Sequence, residues 1–316
     1  MIQIESIGDA SQVLRFKMAR EVMGWSYYRT AAYWVDGLLI DTGCAHTAPQ
    51  LTSALKSLQV DQAVNTHSHE DHIGANAGVQ ELFGCPILAH PEALPILENP
   101  RLQPLQPYRR VFWGWPQPSQ GSTIGEWVET ERFRFQVIHT PGHSPDHVCL
   151  FEPEQGWLFS GDAYIGGQDR ALREGYEIHG IIASLKKICE LPVSTIFSGS
   201  GTVRTEGKQH LEEKVEYLEE LGERILSLHR DGLSARRIRS RVLGRELPIT
   251  YLTLGHFSGL RLVQSYLAGF EPPEPVEAQQ VEVEVEVEEL EPDHAAAGGT
   301  AVAERSSAEA DEGAKE

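Results

Sequence analysis

Apolar residues recur along the chain in short continuous or alternating runs bounded by turn-forming residues, the pattern of strands buried on one or both faces. Eight runs stand out, at 31–35, 38–40, 63–66, 87–89, 133–139, 148–151, 157–159 and 195–197. Between several of them the apolar period lengthens to that of a helix, predicting helices over 50–58, 73–83 and 180–190. Strands and helices interleave without a strict strand–helix–strand rhythm. That favours α/β layers with mixed sheets over a doubly wound parallel sheet.

Beyond the last strand, Leu211, Val215, Leu218, Leu221, Ile225 and Leu228 recur at steps of four and three. They make the apolar stripe of one helix of about six turns, with Glu and Lys on its other face. Asp231-Gly232 breaks it, Ser234 is placed to cap a second helix through Val242, and a third helical pattern covers 257–267. The chain therefore divides into a core over 1–230, a helical extension covering that core over 231–270, and a tail over 271–316. The Pro-rich stretch 95–121 carries Tyr108, Phe112, Trp113 and Trp115. Two readings stand for it: a wall or lid over a pocket, or a loop stapled to the core by its aromatics.

Charge sharpens the tail. Of the net −19 over 316 residues, 271–316 contribute 15 acidic against 2 basic residues, leaving 31 against 25 before them. The valines at 281, 283, 285 and 287 alternate with glutamates, and like charge on every second residue argues for a disordered acidic tail over a strand. An acidic core also lacks the cationic field that strong non-specific nucleic-acid binding needs. No apolar run approaches the length needed to span a bilayer, and the N-terminus shows no basic segment followed by an apolar one, so a cytoplasmic location is expected and no membrane partner. Cys44, Cys85, Cys149 and Cys189 are widely spaced and read as small buried hydrophobes.

The informative segment is Asn65-Thr66-His67-Ser68-His69-Glu70-Asp71-His72-Ile73-Gly74-Ala75-Asn76, between an apolar strand and a helical pattern. In extended backbone His67 and His69 point to the same side, and Asp71 and His72 fall where the chain turns into the helix. Three imidazoles and the Asp71 carboxylate within six residues invite a bound cation, since both groups are good ligands for zinc and similar divalent metals.

His67-x-His69-x-Asp71-His72 resembles the H-x-H-x-D-H signature of the metallo-β-lactamase-fold hydrolases. Asp41-Thr42-Gly43, Thr140-Pro141-Gly142-His143-Ser144-Pro145-Asp146-His147 and Phe159-Ser160-Gly161-Asp162 resemble further motifs of that family, in the same order, so the likeness covers roughly residues 15–230. It implies an αββα sandwich of two mixed β-sheets flanked by helices, with the metals at one edge and the C-terminal helices as cover. Carried over by position, His67, His69 and His143 would hold a first metal. Asp71 and His72 would serve a second, and Asp162 would bridge both. A metal brings the pKa of bound water from 15.7 toward ~7, so hydroxide becomes available at neutral pH. Asp71 could accept or return a proton during attack.

The pattern breaks at Thr195-Ile196-Phe197-Ser198-Gly199-Ser200-Gly201, where Ser200 stands at the position of the family's last histidine. A serine hydroxyl is a poor zinc ligand beside an imidazole. Three arrangements stay open. A second metal is held by Asp71, His72, Asp162 and waters; His256, in a glycine-flanked turn, is the substitute ligand; or the site holds one metal. The leading functional expectation is a zinc-dependent hydrolase, with one or two ions, acting on an ester-like bond of a small molecule such as a thioester or lactone. The alternatives are a mononuclear-iron (Fe2+) oxidoreductase resembling persulfide dioxygenases, a nuclease using Arg230, Arg236, Arg237, Arg239, Arg241 and Arg245, and a metal-binding protein without turnover.

Overall fold

Along the inner strands, neighbouring residues are buried on opposite sides, which is why these runs read as continuously apolar. Leu39 packs outward with Leu51, Leu55 and Val79, while Leu38 and Ile40 face inward with Val64, Phe135, Phe159 and Phe197. On the other sheet, Leu158 and Ile196 join Leu185, Ile188, Leu211 and Leu218, whereas Phe159 and Phe197 turn to the same inward core. A period of two with both faces apolar requires a layer on each side of each sheet. The result is two sheets face to face between two helical layers, as the sequence predicted.

A computed structural model describes residues 1–7, 12–22, 25–26 and 28–270. Among these residues the first sheet has seven strands in the order Ile2–Ile7, Val13–Met18, Thr30–Val35, Leu38–Ile40, Gln62–Val64, Ile87–Ala89, Gly121–Thr123. It is antiparallel as far as Leu38–Ile40 and parallel beyond. The second runs Trp127–Glu129, Arg134–His139, Val148–Glu152, Trp157–Gly161, Thr195–Ser198, Val203–Thr205, with one parallel pairing between Trp157–Gly161 and Thr195–Ser198.

Helices α1 (Ala48–Leu55) and α2 (Asn76–Phe83) cover the first sheet. The short α3 (Leu94–Glu98) and α4 (Pro107–Phe112) follow in the Pro-rich stretch. Helices α5 (Ile178–Cys189) and α6 (Gly207–Arg230) cover the second sheet. Then come α7 (Ala235–Val242), α8 (Pro248–Leu252) and α9 (Gly259–Leu267). Ile238, Leu262, Val263 and Tyr266 of α7 and α9 share the core of α5 and α6, and the Tyr266 hydroxyl donates to Leu218 O at 2.7 Å. Two end details differ from expectation. Ser234 precedes α7 but its side chain makes no capping bond, and the 257–267 pattern opens as a two-residue strand, so that Ser258 caps α9 through Arg261 N. All four cysteines are free. Among the described residues no helix is long and apolar enough to cross a membrane. The acidic tail 271–316 lies outside the described residues.

Candidate metal centre

Strands Leu38–Ile40 and Gln62–Val64 end side by side, and the chain leaving each is fixed by polar bonds. Asp41 takes a left-handed conformation (φ 60°) and its amide donates to Val64 O. Its buried carboxylate accepts from Thr66 N at 2.8 Å and from the Thr66 hydroxyl, and it lies 2.8 Å from His72 Nδ1. The turn from Asn65 to Asn76 is cross-braced: Asn76 Nδ2 donates to Asn65 Oδ1, and Thr42 Oγ1 donates to Asn76 Oδ1, each at 2.7 Å. The facing sheet is stitched on by Val148 N donating to Thr66 O and by Ser68 N donating to Asp146 Oδ2. That sheet brings His143 in the turn before Val148–Glu152, and Asp162 just past Trp157–Gly161. The Ser198–Ser200 turn presses on both halves. A Cβ on Gly199 would collide with Asp162 Oδ1 and lie 2.7 Å from His72 Cε1, so only glycine fits there.

Four imidazoles and one carboxylate converge. The ring centroid of His67 lies 4.5 Å from that of His69, 4.1 Å from His72 and 4.8 Å from His143. His69 Nδ1 and His143 Nε2 approach to 2.9 Å. Asp162 places Oδ1 at 3.5 Å from His72 Nε2 and Oδ2 at 3.5 Å from His143 Nε2. Among the described residues two compact ligand sets result, His67–His69–His143 and His67–His72–Asp162.

The surroundings set the tautomers. The Thr66 hydroxyl gives its proton to Asp41, so it accepts from His67 Nδ1–H, leaving a bare lone pair on Nε2. His67 Nε2 is buried with no hydrogen-bond partner. Likewise Asp162 N donates to His147 Nε2 at 3.0 Å, so His147 donates from Nδ1 to Thr140 Oγ1. Burial, reinforced by neighbouring imidazoles and guanidinium groups, holds His67, His69 and His143 well below the ordinary histidine pKa. Burial also opposes charge on His72, but the carboxylates of Asp41, Asp162 and Asp71 outweigh it and raise that pKa well above normal. Neutral imidazoles around an orphaned lone pair, with a carboxylate beside them, fit a divalent cation.

The amino-acid pattern over residues 29–228 matches the family model of the metallo-beta-lactamase superfamily. The chain belongs to this superfamily. A metallo-beta-lactamase family protein from Thermus thermophilus shares the fold, with TM-score 0.59 over 80% of this chain and 93% of that one at 20% identity. A hydroxyacylglutathione hydrolase from Polaromonas sp. is 30% identical over 153 residues, covering 48% of this chain and 52% of the enzyme. An atrochrysone carboxyl ACP thioesterase from Aspergillus fumigatus is 26% identical over 187 residues, covering 57% and 52%. The matched region thus spans about half the length of these two curated relatives.

The other expected site residues of this metallo-beta-lactamase superfamily member take different positions. Asp71 sits at the rim of the cluster, its Oδ2 3.9 Å from His72 Nε2 and outside both ligand sets. Burial pushes its carboxyl up to about 6 despite the nearby His72. Ser200 Oγ lies 2.9 Å from Ser198 Oγ and donates to Thr202 Oγ1. His256 is not brought to the cluster: its Nδ1 lies 2.9 Å from the Tyr108 hydroxyl.

Above the metal centre opens a cavity of about 350 Å³ whose wall includes Asp71, Asp162, Tyr108, Trp113, Leu172, Tyr176 and Phe257. Both readings of the aromatic stretch hold in part. Tyr108 and Trp113 form wall, Phe112 is buried against Tyr28, and Trp115 packs under the Arg101 guanidinium.

Several functional neighbours escaped the sequence reading. Tyr176 places its hydroxyl 3.2 Å from His143 Nε2 and accepts from Arg173. Glu70 is clamped by Arg109 from α4, and Asp41 orients His72. Of these only Asp41 left a signal, a carboxylate directly after an apolar strand. Asp41→Asn keeps the shape but removes the charge that holds His72 Nδ1–H, so the affinity of the set containing His72 is expected to fall about 10–100-fold. Titration of the metal-free protein against a chromophoric chelator measures it.

Proposed function

We propose that the chain is a metal-dependent hydrolase of ester-like bonds in small molecules, with thioesters as the leading class. One observation carries the reading: two imidazole-rich ligand sets form the floor of a largely apolar cavity with a protonatable carboxylate, Asp71, at its edge. The names of the two curated relatives, a hydroxyacylglutathione hydrolase and an acyl-carrier thioesterase, support the thioester class.

In this proposal His67, His69 and His143 hold a first zinc ion, and His72, Asp162 and Asp71 hold a second and weaker one. His67 offers a single free nitrogen, Nε2, so it serves one ion and not both. Ser200 is engaged with Ser198 and Thr202 and replaces no imidazole. Bound divalent ions supply Lewis acidity and a water acidified to near-neutral pKa. The protein's own groups do the rest. Asp71 faces the cavity from the rim of the cluster, where its carboxylate would accept or return a proton whenever it is not engaged by the second ion. His147 fixes the Asp162 backbone, Asp41 fixes the His72 ring, and Leu172, Ile181 and Phe257 line the cavity with apolar surface that excludes water.

The test is elemental analysis of protein purified without chelator, paired with hydrolysis of thioester and ester panels. Zinc at one to two equivalents with thioester turnover is expected, and turnover is expected to vanish with chelation and return with zinc. Iron as the bound metal, with dioxygen uptake on a persulfide and no ester or thioester hydrolysis, would replace this reading, because the three-imidazole set also suits a single iron ion.

A further inference from the structure

We propose that Tyr108, pinned by His256, is the end-stop of the substrate cavity and sets the length of acyl group it accepts; this rests on the hydrolase reading above. Tyr108 and Thr253 line the metal-bearing cavity on one side and, on the other, a second cavity of about 520 Å³ that His256, Leu252 and Leu260 help to form. These two side chains are thus wall to both spaces. The Tyr108 hydroxyl and His256 Nδ1, 148 residues apart in sequence, meet at 2.9 Å. Burial, aided by the guanidinium groups of Arg173 and Arg109, lowers the His256 pKa, so the ring stays neutral with Nδ1 able to accept from the phenol.

The stop is held at a fixed distance from the metal centre. Tyr108 is followed directly by Arg109, whose guanidinium donates through Nε and a terminal nitrogen to both oxygens of Glu70, and both partners are buried. Glu70 lies between His69 and Asp71 in the chain. The helix bearing the stop is thus braced on the same turn that presents the metal-binding side chains, like a ruler with its zero at the scissile bond. The His256 side of the pin comes from residues beyond the 29–228 stretch matched by the family model, whereas Tyr108 lies within it.

Short acyl groups fit within the metal-bearing cavity, and longer ones need the second space beyond Tyr108. The probes are butyrate, octanoate and dodecanoate, titrated by calorimetry into the zinc-loaded full-length protein, and the N-acetylcysteamine thioesters of the same acids, assayed for kcat/KM. Wild type is expected to favour the shorter acids. Tyr108→Ala should raise the dodecanoate-to-butyrate ratio by about tenfold or more, the worth of burying a few additional methylenes. Tyr108→Phe and His256→Ala, which keep the fold's packing but lose the pin, should shift the ratio in the same direction by less. An unchanged ratio in Tyr108→Ala with intact circular dichroism overturns the proposal. If that variant does not fold, an unchanged ratio in both milder variants overturns it. A shifted binding ratio without any thioester hydrolysis upholds the end-stop while removing the hydrolase reading. Binding of none of the acids by any form overturns the end-stop itself.

Discussion

His67→Ala is expected to strip the centre of its tightest metal and to lower kcat/KM by about 1,000-fold or more. The reason is in its environment rather than in its count among the histidines. Its Nδ1–H is engaged by Thr66 and its Nε2 is buried without any partner, which leaves that nitrogen free for the set it forms with His69 and His143. A buried imidazole with no hydrogen bond on one nitrogen is explained by a cation there. Losing an interaction of several kcal/mol with the metal that polarises the substrate corresponds to three or more powers of ten in rate. His72→Ala makes the contrast. It leaves His67, His69 and His143 in place, so metal content is expected to fall toward one equivalent rather than to zero. Elemental analysis after dialysis and steady-state kinetics separate the two variants. Equal metal loss in both would mean that the two sets are not distinct sites.

How much of this was legible beforehand depends on where a residue's partners lie in the sequence. Most inner strands were, because Leu38–Ile40 or Thr195–Ser198 are apolar on both faces and need no distant information, whereas Val13–Met18, interrupted by Arg15 and Lys17, was not. The edge strands Ile2–Ile7, Gly121–Thr123 and Val203–Thr205 were not, since their residues are exposed or half-exposed and each offers few apolar positions to mark a buried face. The helix expected from 73 starts at Asn76, because the residues before it are committed to the Asn65–Asn76 brace and Gly74 packs tightly on the Cys44–Ala45 backbone. The histidine-rich turn announced itself through local density, and the structure gathers His67, His69, His72, His143 and Asp162. His256 misled for the same reason. A glycine-flanked histidine looks like a ligand turn, and only the fold shows that Tyr108 is what it faces. Tyr176, Arg173 and Arg109 carry no local mark at all; their importance comes from neighbours brought together by the sheets.

Arg109→Ala is expected to be the most destabilising of the variants considered, by about 3–5 kcal/mol, because it strands the Glu70 carboxylate in a buried site. The two side chains are 2% and 1% exposed, and Glu70 has no other cation as salt-bridge partner among the described residues. For a chain of this size that corresponds to a fall in Tm of about 10 °C, read by calorimetry or urea titration. Truncation alone does not show what the pair contributes, since the penalty is dominated by the charge left behind. The double variant Glu70→Leu with Arg109→Met answers that: two apolar residues of similar volume should restore most of the stability. If fold stability were the pair's whole role, the double variant would also recover the acyl-length preference. If Glu70 and Arg109 instead hold α4 at its distance from the metal turn, the repacked protein should be stable yet less selective, because dispersion contacts fix a helix less rigidly than a two-pronged ion pair. A double variant that is both stable and fully selective would confine the pair to stability and leave Tyr108 and His256 to set the cavity's length alone.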